Sequence, residues 1–283
     1  MPVSTLKIMG LAVIVAIAAN ITRPQPADWQ PPRLIQIRRE QLSFGRSEAF
    51  LQAETEYARV MAGTNRVSHY AALVSVSGPS EVWFVTPYES YAEWSKSLKD
   101  QEPNTKLAPG PDHDGSRNSE LLTGLGSVVA TYREDLSYRP GVMGSHVHCF
   151  SVATVRTRPG RTADYVAERR IVKAAHEKAA IKEDYFVYQV ASGLPAGTFF
   201  VVIPYADLGE LDSVSPTHGK AYDDALGDDG RKKSQDLTTS GILDSDTMIF
   251  LVHPEMSHIA YEWIAADPDF WNKGSIPKSP RRH

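Results

Sequence analysis

The chain writes one phrase twice. Residues 82–94 read VWFVTPYESYAEW and residues 199–211 read FFVVIPYADLGEL: an apolar run, then Pro–Tyr, then a polar segment. An internal repeat constrains a fold more tightly than composition does, because each copy has to form the same unit. The correspondence extends well beyond this phrase. Gly45 in FGRSEAF matches Gly160 in PGRTADY, an offset of 115 (160 − 45). At that offset Tyr70 falls on Tyr185, Ser77 on Ser192 and Gly78 on Gly193. Pro87 and Tyr88 then meet Pro204 and Tyr205 at an offset of 117 (204 − 87). REDLSY (133–138) matches HPEMSH (253–258) at an offset of 120 (253 − 133). The order never breaks, and the growth falls in turn-like sequence.

One unit reads as follows. LIQIRRE (34–40) and its counterpart CFSVATV (149–155) alternate apolar and polar residues, as half-buried strands do. A glycine turn leads into helical spacing: Phe50, Ala53, Glu54 and Tyr57 in the first unit, Tyr165, Arg169, Val172 and His176 in the second. Then come a strand (YAALVSV or YFVYQVA), a glycine-bearing hairpin, and a third strand (EVWFVT or FFVVI). After Pro–Tyr a polar, helix-compatible stretch precedes a last strand, SVVATYR or TMIFLV. The pattern is βαββαβ, a ferredoxin-like unit with both helices on one face of its sheet. Strands such as FFVVI, MIFLV and AALV are apolar at nearly every position, so both faces need cover. An uncovered face would be a large exposed apolar patch. The expected fold class is therefore α+β: two tandem ferredoxin-like repeats whose antiparallel sheets pack into one intrachain α+β barrel. The expected division is a signal peptide over 1–22, a Pro-rich leader over 23–32, repeats over 33–138 and 146–262 joined by a linker over 139–145, and a C-terminal tail over 263–283. Phe270 and Trp271 are the apolar residues expected to pin that tail to the body.

Composition bounds the function classes. Of 283 residues 42% are hydrophobic and 23% charged, with a formal net charge of −4. That balance argues against a nucleic-acid binder, which shows a basic domain or stripe. Lys7 precedes an uncharged run, IMGLAVIVAIAA, that ends near Ala16-Ile17-Ala18. This reads as a secretory signal cleaved near Ala18, giving a periplasmic or secreted protein. The run falls short of the roughly 20 apolar residues of a spanning helix, so no membrane span is expected in the mature chain. Retention as an anchor and a buried helix are the alternatives. Cys149 is the one cysteine, so no intramolecular disulfide forms, and its alternating apolar context reads as a small buried hydrophobe.

The strand–turn–helix openings REQLSFGRSEAF and ATVRTRPGRTADY, the hairpin-to-Pro–Tyr segments, and the closures YREDLSYRP and HPEMSH carry a resemblance. It is to the dimeric α+β barrel superfamily and, within it, to tandem NIPSNAP-like proteins of the ABM/EthD kind. It covers almost all of residues 33–258. It implies the barrel fold. It also implies a range of activities: cofactor-free monooxygenases, haem-degrading and haem-dependent enzymes, an isomerase, stress-response proteins. No single chemistry follows from it, because a fold hosts unrelated functions.

Seven residues stand out as ligand-binding candidates. His146 and His148 sit at i, i+2 in SHVHCFSV, so on a strand they share a face. Two imidazoles there supply acid–base groups or ligands, but no third residue completes a metal set, and no metal is assigned. The alternative is a strand entrance where polar residues precede a buried run. His69 and Tyr70 open the second strand and are read as a base or hydrogen-bond donor at the barrel mouth, or as an ordinary half-buried pair. Tyr88 and Tyr205 follow a strand-ending proline and are read as rings capping the sheet end, or as phenols facing a ligand. Trp83 aligns with Phe200 and is either core or a stacking surface for a flat ligand. Ser137 and Ser257, in matching closures, read as backbone caps. GDDGRKK (227–233) lacks calcium-loop spacing. No phosphate loop and no G-x-S-x-G elbow is present, and catalytic residues and cofactors stay unassigned.

These features support a protein binding a small apolar or aromatic ligand between its sheets, with monooxygenase-like activity as its enzymatic form. The alternatives are a haem-binding oxidoreductase and a structural module with a filled barrel. The duplication closes the barrel within one chain, so a monomer is the default and a homodimer through an exposed edge the alternative.

Overall fold

The computed structural model describes residues 30–62, 69–101, 120–139, 146–213 and 219–272. The segment read as signal, most of the leader and of the linker, and the last part of the tail lie outside the described residues. The elements run β1 (Leu34–Leu42), α1 (Ser47–Ala62), β2 (Ala71–Ser75), β3 (Glu81–Tyr88), α2 (Tyr91–Gln101) and β4 (Leu122–Tyr132). They continue with β5 (Cys149–Thr157), α3 (Thr162–Ala179), β6 (Phe186–Ser192), β7 (Thr198–Tyr205), α4 (Gly219–Gly241) and β8 (Ile242–Val252). Two short helices follow, α5 (Tyr261–Ala266) and α6 (Pro268–Trp271). All strand pairs are antiparallel and the sheet closes on itself in the order β1-β3-β2-β8-β5-β7-β6-β4. Closure leaves no edge strand in this sheet to pair with another chain.

Period-two alternation decides what lies inside. Every strand sends residues to one core: Ile35 and Ile37, Leu73, Trp83, Val128 and Ala130, Phe150 and Val152, Phe186 and Tyr188, Phe200, Met248 and Phe250. Trp83 lies 4.6 Å from Phe250 and 5.5 Å from Phe200, ring centre to ring centre. Burying a side chain as fully as Phe250, which is 0% exposed, contributes roughly 1.5–3 kcal/mol. The intervening residues face outward under the helices. Leu42, Ala72, Val82 and Phe84 pack with Phe50 of α1, and Val155, Val187, Phe199 and Val201 pack with Tyr165 of α3. On α3 the buried residues Tyr165, Glu168, Val172, Ala175 and His176 follow helical spacing.

The repeated Pro–Tyr phrase has a local job. Glu93 accepts the backbone N–H of Glu89 at 2.6 Å while Ser90 accepts that of Glu93 at 3.1 Å. Glu210 accepts from Ala206 at 2.6 Å, and Asp207 accepts from Glu210 at 3.2 Å. Each copy is thus a variant of the capping box that starts a helical turn directly after the strand.

The two closures cross over. Ser137 donates to the Arg133 carbonyl at 2.8 Å and accepts the N–H of Val187, in β6, at 2.9 Å. Ser257 donates to the His253 carbonyl at 2.7 Å and accepts the N–H of Ala72, in β2, at 2.9 Å. Leu136 and Tyr138 join the core under α3, and Met256 joins the one under α1. Ser137→Ala leaves a buried amide without its acceptor and is expected to cost about 1–3 kcal/mol. Ser257 is less deeply buried, so Ser257→Ala is expected nearer the lower end of that range. Urea denaturation of the two variants checks both magnitudes.

Candidate functional site

The first part of the segment read as a tail docks on the barrel, and Phe270 and Trp271 pin it there as expected. Residues 261–271 turn back as α5 and α6, and Trp271, 8% exposed, enters the barrel core, with Trp263, Ile264 and Phe270 packed against it. Asp267 links the two helices, its N–H donating to the Trp263 carbonyl at 3.2 Å and its carbonyl accepting from Trp271 at 3.1 Å. This places a carboxylate against the start of β5.

There the His pair and Asp267 meet. One carboxylate oxygen, Oδ2, lies 3.0 Å from His146 Nδ1 and 2.9 Å from His148 Nε2. Asp267 is buried, whereas the side chains of His146 and His148 are 41% and 26% exposed. Burial pushes the Asp267 carboxyl up, but the hydrogen bonds from both imidazoles outweigh it and hold the group below its ordinary value. Phe270 lies flat on His148, ring centres 3.6 Å apart and planes within 11°. An acidic acceptor between two rings fixes their orientation and tautomers: His146 donates from Nδ1 and presents Nε2, and His148 donates from Nε2. This suits acid–base work better than axial ligation, since His148 gives Nε2 to Asp267 and one face to Phe270. Among the described residues no cluster of three His, Cys, Asp or Glu side chains has the geometry to hold a metal ion.

The other candidates lie elsewhere. Tyr70 takes the half-buried reading rather than the barrel mouth: it packs with the cluster under α1 on the helix side of the sheet and sets its ring edge against Phe84, 5.8 Å away. His69 faces His258 at 5.1 Å, and burial followed by the charge of that second ring lowers its pKa. Tyr88 is buried with Leu34, beside Trp94 of α2, and Tyr205 is buried opposite Cys149 in the sheet. Burial raises the pKa of both phenols, as expected of core residues. Trp83 is 3% exposed within the aromatic core, so it stacks on protein rings and offers no face to a ligand. Side chains therefore occupy the middle of the barrel, and the accessible chemistry lies at its end. Cys149 is buried, and burial first of all pushes its thiol up to about 11, which makes it inert.

Three groups escaped sequence reading. Asp267 carries no motif. Glu81, 2% exposed, accepts Trp83 Nε1–H at 2.7 Å, two hydrogen bonds from Arg39 Nη2 and Nε, and one from Gln41. Under α1, Arg38 lies 3.0 Å from Glu40 and 3.5 Å from Glu54, both carboxylates 3% exposed. Burial raises the Glu40 pKa more than Arg38 lowers it. Alternation in LIQIRRE (34–40) and the isolated charge that opens EVWFVT (81–86) were the only signals for the second and third of these groups.

The comparisons agree with the fold. No protein-family model matches the chain, and no curated protein matches it. Among solved structures the chain is similar to an anthrone oxidase-like protein, at 9% identity over 78% of this chain and 91% of that one, with a TM-score of 0.50. It is also similar to a candidate monooxygenase from Fusobacterium nucleatum subsp. nucleatum (12% identity, 78% and 93% covered, TM-score 0.48). A third similar structure is chlorite dismutase from Candidatus Nitrospira defluvii in complex with imidazole (10%, 79% and 92%, 0.43). At such identities the likeness is one of fold. The fold they share is thus an α+β barrel, closed here by eight antiparallel strands. Among the described residues no helix is long and apolar enough to cross a membrane.

Proposed function

We propose that this chain binds a small apolar or aromatic ligand at the His146–Asp267–His148 end of its barrel and abstracts a proton from it in a monooxygenase-like reaction. The observation that carries this is the single carboxylate oxygen shared by two imidazoles, one of them 41% exposed. His146 Nε2 takes the proton, and Asp267 stabilises the imidazolium that forms. The resulting carbanion or phenolate reacts with dioxygen; one oxygen atom ends in the product carbonyl and the other leaves as water. Phe270 and the apolar residues beside it supply a surface for a flat ligand. The reading extends to an exported, monomeric, NIPSNAP-like protein of two tandem ferredoxin-like repeats. The tandem repeats are supported by the element order, βαββαβ twice, and the strand order 4-1-3-2 within each half; export rests on the Lys7-led apolar run alone.

The test uses the mature protein with anthrone as probe, an oxygen electrode, and an absorbance spectrum before and after adding haem. The expected result is oxygen uptake that His146→Ala lowers about 10²-fold or more, with unchanged far-ultraviolet circular dichroism. Uptake no greater than the protein-free background would overturn the enzymatic reading. A Soret band that His146→Ala abolishes would replace it with the haem-binding alternative.

A further inference from the structure

Beneath α3 and α4, on the outer face of the second half of the sheet, lies a polar aromatic cluster apart from the barrel-end site. Tyr165 is 2% and Tyr185 3% exposed, yet neither buried hydroxyl has a hydrogen-bond partner within the protein. Buried phenols ordinarily find one. Arg169 is the common neighbour of both: its guanidinium carbon lies 5.9 Å from the Tyr165 ring centre, and its charge acts on both hydroxyls, working against the larger upward push of burial on each. Glu168 accepts Arg169 Nε and Nη2 at 2.7 and 3.0 Å and Ser234 Oγ at 3.2 Å, so three of its roughly four acceptor sites are used and neither phenol donates to it, although its charge also acts on both phenols, raising their pKa values. The two phenolic O–H groups are left as surplus donors near that guanidinium. Phe199, 4.7 Å from Tyr165, and His176, 5.3 Å from Tyr185, supply aromatic walls, and Tyr222 lies 5.1 Å from His176.

The duplication provides an internal control. At the offset of 115, Phe50 stands where the second half has Tyr165, and Glu54 where it has Arg169, while Tyr70 matches Tyr185. Phe50 is fully buried at its place. The fold therefore accepts a ring without a hydroxyl there, and packing alone does not call for the phenol.

We propose that Tyr165, Tyr185 and Arg169 form a second binding site, between the sheet and α3 and α4, for a small carboxylate on an aromatic or short apolar body. A planar carboxylate matches a guanidinium and offers acceptors to both phenols.

The experiment titrates the mature protein with benzoate and, separately, with formate, by calorimetry and tyrosine difference absorbance. The variants are Tyr165→Phe, Tyr185→Phe and the double variant, the first of which copies the residue already borne by the other half. Saturable benzoate binding is expected, weakened about tenfold in each single variant and lost in the double. A benzoate-induced rise in Tm seen in the wild type and absent from the double variant supports the same conclusion. Formate binding alone, lost in the double variant, supports the site and narrows its ligand to the smallest carboxylates. No saturable binding of either up to about 50 mM, a limit weaker than any useful affinity, overturns the proposal. So does binding that the double variant leaves intact.

Discussion

Glu81→Ala is expected to destabilise the barrel by about 3 kcal/mol, the largest loss from any single polar residue named above. The carboxylate sits among the interior side chains of β1 and β3, 2% exposed, and it is the common acceptor of Trp83, Arg39 and Gln41. Removing it strands the indole N–H inside the core and leaves Arg39, whose side chain is 23% exposed, without its counter-charge. Partial solvent access to Arg39 keeps the figure at the lower end of what breaking a buried ion pair costs. Glu81→Gln keeps one acceptor oxygen and is expected to cost about half as much. A Glu81→Ala, Trp83→Phe double-mutant cycle should report a coupling of about 1 kcal/mol for the indole hydrogen bond alone. A cost below about 1 kcal/mol for Glu81→Ala by urea denaturation would show that the carboxylate is not what orders this end of the barrel.

The same residue sets a pH dependence. Burial, the largest influence, raises the Glu81 pKa, but hydrogen bonds from Trp83, Arg39 and Gln41 together win and leave it below its ordinary value of 4.5. A depressed folded-state pKa means that the unfolded chain binds the proton more readily. The stabilisation is therefore fully present above pH 4.5 and is lost as the pH falls through the lower folded-state value. Wild type and Glu81→Gln should converge in stability as the solution is acidified below that range.

The interior network belongs to the first half alone. In the second, the places of Arg39, Glu81 and Trp83 are taken by Thr154, Thr198 and Phe200, and the polar link is an ion pair between Arg156 and Asp244. This asymmetry explains what the sequence made legible. Alternation in CFSVATV, helical spacing from Tyr165 to His176 and the glycine turns encode elements locally, and duplication then dictates how two open sheets must cover each other. The candidate site followed no such logic. His146 and Asp267 are 121 residues apart, and α5 and α6 have six and four residues, too few for any periodicity to emerge. The segment AADPDFW looks like a tail because nothing local says where it docks. Trp83 could be read as core or as a stacking surface because alternation gives the side of the sheet a residue takes, and not that Phe200 of β7 and Phe250 of β8 meet it there and make it core. Tyr70 was left between the barrel mouth and an ordinary half-buried place for a related reason: it lies just before β2 and pairs with His258, a contact that nothing local in the sequence announces.

Asp267→Asn and Asp267→Ala should separate the two jobs of this residue. In the asparagine variant one amide oxygen accepts from one imidazole, and the amide nitrogen donates to the other, which forces that ring into the opposite tautomer. The segment stays docked, Trp271 stays in the core, and oxygen uptake with anthrone is expected to fall about 10²-fold or more, as when an orienting carboxylate is lost from an imidazole base. In the alanine variant both imidazole contacts go, and the hold on α5 and α6 goes with them. Here the expected outcome adds a red-shifted tryptophan emission and faster proteolysis after residue 260, because Trp263 and Trp271 lose their seat against the barrel. The carboxyl's own titration gives the matching pH test. Its folded-state pKa is held below the ordinary 3.8, so the docked segment should keep its full stability above that value and loosen as the pH drops beneath it. An asparagine variant with wild-type activity would leave Asp267 as a structural latch only, and would return the search for the acid–base group to the buried carboxylates under α1.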